Sequence, residues 1–473
     1  MISKRAIEAI LLKSRNDPAW WIRTVLGKNP WEMQVAIMES VRDNPETAVA
    51  SCHGAGKSFI GANTALWFLY THKPSIVITT APTDRQVRGI LWKEIRMSHS
   101  SALKPLGGRL LSQELKLDDN WWAWGFTAPS YDPNRFQGFH EQHVLVVADE
   151  AAGISEEIYE GIDGVLSSEH ARLLMIGNPT NAGGRFGKAF KTPGVAKFKI
   201  SAFDTPNFTH FGITEDDILS GEWRQKMTDA LPHPYLVTPH WVERMSKKGV
   251  NSPFYQCRVL AKFPSQEPDT LIPLDWIDSA VRRNLRDDDP LPVELGVDVA
   301  RFGTNETVVT LRTGNRAEII KRFRHIDTMQ TAGQVARLIQ DCNAEVAKID
   351  ADGIGAGVYD RLKEQHFPVR AMHSGAKARD DTRFVNARAE WWWDLRSRFE
   401  EGTIDIEDDD DLISQLSNIK YKLNSQGRIQ VESKEDMRKR GVESPDLADS
   451  LMLAFAQAKN PPARIRARSS RRR

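Results

Sequence analysis

Ser51-Cys52-His53-Gly54-Ala55-Gly56-Lys57-Ser58 joins an apolar, β-branched run, Thr47–Ser51, to a second apolar run of helical length, Phe59–Tyr70. A strand, a glycine-rich turn and a helix in that order mark a parallel α/β sheet with a phosphate-binding loop. The end of the stretch fits G-x-x-x-x-G-K-[ST], with Ser51 in place of the first glycine. In such a loop the backbone N–H groups and the helix N-terminus cradle phosphates. Cys52, His53, Gly54, Ala55 and Gly56 supply that backbone, Lys57 reaches the β- and γ-phosphates, and the Ser58 hydroxyl holds Mg²⁺.

A second stretch strengthens the reading. Val144-Leu145-Val146-Val147-Ala148-Asp149-Glu150 is a buried strand ending in two carboxylates. Asp149 suits Mg²⁺ coordination and Glu150 suits polarisation of an attacking water, so ATP hydrolysis is expected. An Asp-Glu pair capping the next helix is the alternative. Three flanking residues extend the site. Gln34 precedes the loop and could read adenine through its amide, or be an ordinary surface residue. Arg135, before the carboxylate strand, could stabilise γ-phosphate charge in a neighbouring subunit, or be structural. Asn178, in Gly177-Asn178-Pro179-Thr180, ends the following strand, Arg172–Gly177, where it could sense the γ-phosphate; a simple turn is the alternative.

Further strands are expected at Ser75–Thr80 and His143–Ala148. Prolines at 206, 232, 234, 239, 253 and 264 then punctuate short helical stretches. A second α/β unit opens near Leu291. Glu294–Ala300, Thr307–Arg312 and Arg316–Phe323 read as an antiparallel meander, followed by a helix, a strand (Glu345–Asp350), a helix and a strand (Pro368–His373). Asp298 lies inside an apolar strand, Asp350 ends another, and Asp446 and Asp449 share one face of the last helix. Burying an unpaired carboxylate costs several kcal/mol, on the order of a lost buried ion pair. Acids from the first strand, from the strand ending in Asp350 and Asp352, and from the late helix with Asp446 and Asp449 are what two Mg²⁺ ions need to clamp a phosphodiester, so a two-metal nuclease is expected. Asp446 would equally fit a helix N-cap, and Asp352 a turn. Lys420–Glu432 reads as a hairpin able to guide DNA. Two of Trp391, Trp392 and Trp393 are expected in the core, and the acidic run 400–411 as a solvated loop.

Composition excludes several classes. The 473 residues are 40% hydrophobic and 27% charged, as in a globular chain of two to four domains. Cys52, Cys257 and Cys342 are too far apart for a disulfide framework or zinc site, which points to a reducing compartment. No run approaches a membrane span, and Lys4, Arg5, Glu8 and Lys13 interrupt any leader-like segment. The 64 basic and 63 acidic side chains give +1, but the last thirteen residues hold six arginines and no acid. Residues 1–460 therefore carry 58 basic against 63 acidic groups. A nucleic-acid partner needs a basic channel rather than a basic average, so the neutral total does not exclude one.

The order of SCHGAGKS, VLVVADE, IGNPT, GVDVARFGTNET, IDADGIG and SPDLADS resembles that of the large terminase subunits of tailed bacteriophages, over about residues 1–460. The resemblance implies an α/β protein: a P-loop ATPase domain (1–202) with a parallel sheet, a helical linker subdomain (203–290), an RNase H-like nuclease domain (291–460) and a basic tail (461–473). It implies ATP-driven translocation of double-stranded DNA into a preformed capsid and endonucleolytic cutting of concatemers, with Asp298, Asp350 and Asp446 as the acids that bind Mg²⁺ or Mn²⁺ and Asp449 as accessory. The implied partners are the portal protein, the small terminase subunit and further copies of the chain in a ring, a pentamer in the family. The implied setting is the host cytoplasm, with transient docking on the procapsid and no membrane. His53 stands where many members have an arginine, and Ser-Pro-Asp where many have His-Asp-Asp. A repair helicase-nuclease and a portal-docking subunit with one active site are the competing readings.

Overall fold

The computed structural model describes residues 4–127, 139, 141–264, 269–285, 291–300 and 306–457, with side chains from residue 7. The chain divides into two units, 1–266 and 267–473.

The first unit contains β1 (Glu46–Ser51), β2 (Ser75–Thr80), β3 (Arg109–Leu110), β4 (Glu114–Asp118), β5 (Trp121–Gly125), β6 (His143–Asp149), β7 (His170–Gly177) and β8 (Ala196–Ile200). They form one sheet in the order β3-β4-β5-β2-β6-β7-β1-β8. From β5 to β8 neighbouring strands run parallel, and only β3 and β4 are antiparallel additions. Every residue of β2 and β6 is buried, as expected of strands covered on both faces. One face packs Ile158, Tyr159, Ile162 and Val165 of the helix Glu156–Val165 against Ile76, Ile78, Val144 and Val146. The other face receives the helix Lys57–Thr71, buried almost throughout. Pairing of Ala50 with Gly177 and of Asp149 with Ile176 brings the ends of β1, β6 and β7 to one edge. That edge is where α/β sheets bind ligands.

The segment 203–290, expected as one linker subdomain, is shared between the units. Its first part folds back on the phosphate loop: His53 N donates to Arg258 O at 2.8 Å, and Val237 N to Gly54 O at 3.0 Å. Its last part joins the second unit, where Arg283 donates to Ile404 O at 3.2 Å.

In the second unit β9 (Val293–Asp298), β10 (Thr307–Thr313), β11 (Arg316–Phe323), β12 (Val346–Asp350), β13 (Val369–Met372) and β14 (Asp405–Ile406) are ordered β13-β12-β9-β10-β11-β14. The expected meander β9–β10–β11 is antiparallel, and β12 and β13 extend it in parallel. The hairpin pairs β15 (Tyr421–Leu423) with β16 (Ile429–Val431). Ala332, Val335, Ile339, Val358 and Leu362 of two helices cover one face. The helix Asp446–Phe455 crosses the other so closely that a Cβ on Gly296 would lie 2.1 Å from Ser450 O and 2.4 Å from Ala454 N. Trp391 and Trp392 are buried, and Trp393 packs against Tyr421 at 5.2 Å. The acidic run is not a solvated loop. Asp405 and Ile406 form a buried strand, Asp409 caps the helix Asp410–Asn418, and Asp409 and Asp411 pair with Arg322. One arginine reaching across from β11 turns these charges into structure.

Gly296→Ala should destabilise the second unit by about 3 kcal/mol, because backbone atoms cannot yield to the new methyl. Gly357→Ala, within the helix Gly355–Glu364 and with nothing within 4 Å, should stabilise by roughly 0.5–1 kcal/mol. Urea denaturation of the full chain measures both, and an unmoved transition for Gly296→Ala would contradict this packing.

Candidate functional site

Two clusters of sequence-singled residues form, one in each unit. In the first, Gly54 and Gly56 have φ of 67° and 83°, the left-handed conformation that lets the loop coil around an anion. Lys57 opens the helix that follows. Its Nζ donates to Asn178 Oδ1 at 3.1 Å and lies 3.4 Å from Glu150 Oε1. Asn178 also donates to Ser51 O at 2.7 Å, so one amide ties the end of β7 to both the start of the loop and its lysine. Asn178 is therefore more than a turn residue.

Glu150 is held with φ of 47°. Such a conformation costs a non-glycine residue about 1–3 kcal/mol and persists where the surroundings enforce it. Glu150 occupies the N-cap position of the short 3-10 helix Ala151–Gly153, but its side chain makes no cap hydrogen bond and its carboxylate lies toward Lys57 instead. Asp149 is buried and accepts from Glu150 N at 3.0 Å. Burial and the Glu150 charge push its carboxyl well above the usual range, against Lys57. Ser58 is half-buried in the first helical turn and Ala55 is buried. Cys52 is fully buried with its thiol pushed up to about 12 by burial, so it contributes backbone only. His53 stacks on Trp241 at 5.5 Å. Gln34 is buried, not a surface residue: its Oε1 accepts from Trp31 N at 3.2 Å, and its amide nitrogen would meet a Cβ on Gly56 at 2.7 Å. Arg135 lies outside the described residues.

In the second unit, Asp298, Asp446 and Asp449 are all buried and converge on Lys434, whose Nζ lies 3.3, 3.6 and 2.9 Å from their carboxylates. Asp350 ends β12, which runs beside β9, and its Oδ1 accepts from Asp352 N at 3.0 Å. Asp446 does not cap its helix. Pro445 holds the cap position, while Asp446 accepts from Glu306 N at 2.9 Å and Ser444 Oγ at 2.5 Å. Burial pushes the Asp298 carboxyl up, Lys434 opposes this, and the neighbouring aspartates add to it. Burial likewise raises Asp350. Asp449 moves down: burial would raise it, but Lys434 and Arg388, 3.6 Å away, outweigh that. Hard oxygen donors at the ends of β9 and β12 and on the last helix suit Mg²⁺ or Mn²⁺. Among the described residues no three acids, histidines or cysteines stand close enough to ligate one ion together; they are arranged around the ammonium instead.

Lys434 and Arg388 carry no motif that sequence reading could use. Lys434 begins a short helix just after the hairpin, and only the return of β16 brings it to the acids.

Lys434→Ala should destabilise the second unit by about 1–3 kcal/mol; the ammonium is about a third exposed, so solvent screens part of the pairing. Asp449, held below its ordinary value, contributes stability above the unfolded carboxyl pKa and loses it as pH falls through the lower folded one. The difference between parent and variant should be full near neutrality and shrink below about pH 4, where carboxylates take up protons. Thermal unfolding across that range measures it.

No family model matches the chain. Over 93% of its length, and 93% of the relative's, it is 24% identical to the "Probable terminase, large subunit" of Enterobacteria phage P7. Among solved structures, the large terminase of a thermophilic bacteriophage in complex with ADP aligns over 91% of this chain and 96% of its own, at 12% identity and TM-score 0.38. The nuclease domain of the large terminase subunit of bacterial virus Sf6 aligns over 41% of this chain and all of its own, at 19% identity and TM-score 0.36. Over nearly its whole length, then, the chain is a homologue of a protein named as a large terminase subunit, the family its motifs resemble.

Proposed function

We propose that the chain is a DNA-packaging motor in which the first unit hydrolyses ATP to move double-stranded DNA into a preformed capsid and the second cuts concatemeric DNA. The meeting of Lys57, Glu150 and Asn178 at the mouth of the phosphate loop carries this reading. Lys57 would exchange its contact with Glu150 for β- and γ-phosphate oxygens, leaving that carboxylate to orient the attacking water. Ser58 and Asp149 would hold Mg²⁺. Asn178, linked to Lys57 and to Ser51 O, would register loss of the γ-phosphate at the end of β7. Gln34, fixed against the loop by Trp31, would face the base. Arg135 would act on a neighbouring subunit's nucleotide.

Asp298, Asp350 and Asp446 would hold the nuclease ions. Bound divalent cations would supply Lewis-acid stabilisation of charge on the phosphodiester. Asp449 is better suited to anchoring Lys434 and Arg388, because both cations already crowd its carboxylate. Residues 291–460 form the nuclease domain in this reading, and the hairpin Lys420–Glu432 borders its DNA path. In this reading the chain works with the portal, the small subunit and a ring of its own copies, assembled on the procapsid in the host cytoplasm; its likeness to the phage P7 protein supports a place among large terminase subunits.

Lys57→Ala should abolish ATPase activity, by at least about 10³-fold, and leave Mg²⁺- or Mn²⁺-dependent nicking of plasmid intact; Asp298→Asn should do the reverse. If both variants nick DNA like the parent, the assignment of separate sites fails. Mixing Arg135→Ala with Glu150→Ala subunits should restore part of the ATPase activity if Arg135 acts in trans, and no rescue at any ratio would exclude that role.

A further inference from the structure

At the edge of the eight-stranded sheet where β6 and β7 begin, the chain gathers basic side chains that neither chemistry uses. His143 and His170 open these strands as register partners, and their rings stack at 5.3 Å with 13° between planes. His72, just before β2, lies 5.3 Å from His143. Arg15, from the helix Lys4–Asn16, places Nη2 2.6 Å from His143 Nε2, and Arg172 follows His170 along β7. The seven residues of β6 span about 20 Å, so this cluster is remote from Asp149 at the other end.

Among the described residues no carboxylate forms an ion pair with any of these five groups. The acids that approach are Glu141, beside His143, and Asp43, which acts on Arg172 but is itself paired with Arg42 at 2.6 Å. One guanidinium therefore points at a neutral imidazole. His143 Nδ1 lies 3.0 Å from Pro74 O, which only a protonated Nδ1 can satisfy, so Nε2 is left to accept from Arg15. Burial first, then Arg15, holds the His72 imidazole down to about 3, and burial likewise lowers His143. Arg15 uses one of its five donors in this contact, and Arg172 spends Nη1 on the carbonyls of Ala171 and Glu169. Exposure grades from surface to interior, with His170 exposed, Arg15 and Arg172 partly covered, and His72 and His143 buried.

We propose that this cluster is a phosphate-group site, taking either a backbone phosphate of DNA or free orthophosphate between Arg15, Arg172 and His170. Two guanidinium forks and two imidazoles offer more donors than a carboxylate's two oxygens can accept, whereas a phosphate matches them. On binding, Arg15 turns from His143 to the anion, and His143 Nε2, relieved of its donor, takes up a proton and faces the same negative charge. Affinity therefore rises as pH falls.

Calorimetric titration of orthophosphate tests this on the full chain with its phosphate loop filled by a non-hydrolysable ATP analogue and Mg²⁺. One saturable event is expected with orthophosphate, and sulfate, whose charge does not change over this range, should bind about tenfold tighter at pH 6 than at pH 8, with proton uptake read from the buffer dependence of the heat. Arg15→Ala and His170→Ala, measured separately at a temperature where circular dichroism shows each variant folded, should each weaken it at least tenfold, and Arg15→Lys should recover part. Absence of saturable binding, or binding that both alanine variants retain, overturns the proposal. A short DNA duplex added to the phosphate-bound chain separates the sources. Displacement of phosphate assigns the site to the DNA backbone, and retention assigns it to the free anion.

Discussion

A carboxylate withdrawn from water must meet a cation or a proton, and each unit of this chain meets that demand with one lysine. In the first unit Lys57 faces Glu150 while Asp149 sits buried behind it. In the second, Lys434 is shared by three buried aspartates. Each lysine opposes the upward push that burial and the neighbouring carboxylates exert on the acids around it.

Backbone proximity sets the geometry around these charges. Gly296 lets the last helix lie on β9, which brings Asp446 and Asp449 over the strand that carries Asp298. A side chain there would lift the helix and separate the acids. In the first unit the left-handed Glu150 and the amide of Asn178 perform the corresponding service, fixing a carboxylate and a lysine at the ends of adjacent strands. Part of the segment 203–290, expected as a helical linker subdomain, presses on the phosphate loop through Val237, Trp241 and Arg258.

Much of both sites was legible because their residues sit where local pattern changes. Lys57, Ser58, Asp149, Glu150 and Asn178 each lie within one residue of a strand end or a helix start, and the switch from alternation to helical spacing marks such positions. Asp298 stood out because nothing local explains a carboxylate in an apolar strand. The acidic run at 400–411 reads as a solvated loop because its neutralising partner, Arg322, lies 87 residues from Asp409 and 89 from Asp411 in sequence. Gln34 reads from sequence as either base reader or surface residue, and burial against the loop removes the second option.

Taken by itself, the sequence determined the two α/β sheets, the phosphate loop, the paired strand-end carboxylates and the acids of the second unit, because each is written in spacing within a few residues. Tertiary structure alone decided that Lys434 and Arg388 surround Asp449, that Asn178 joins Lys57 to Ser51 across the loop, and that Arg15 meets the histidines opening β6 and β7. These partners lie from 15 to more than 120 residues apart in the chain, and no local periodicity records which distant cation a buried charge will find.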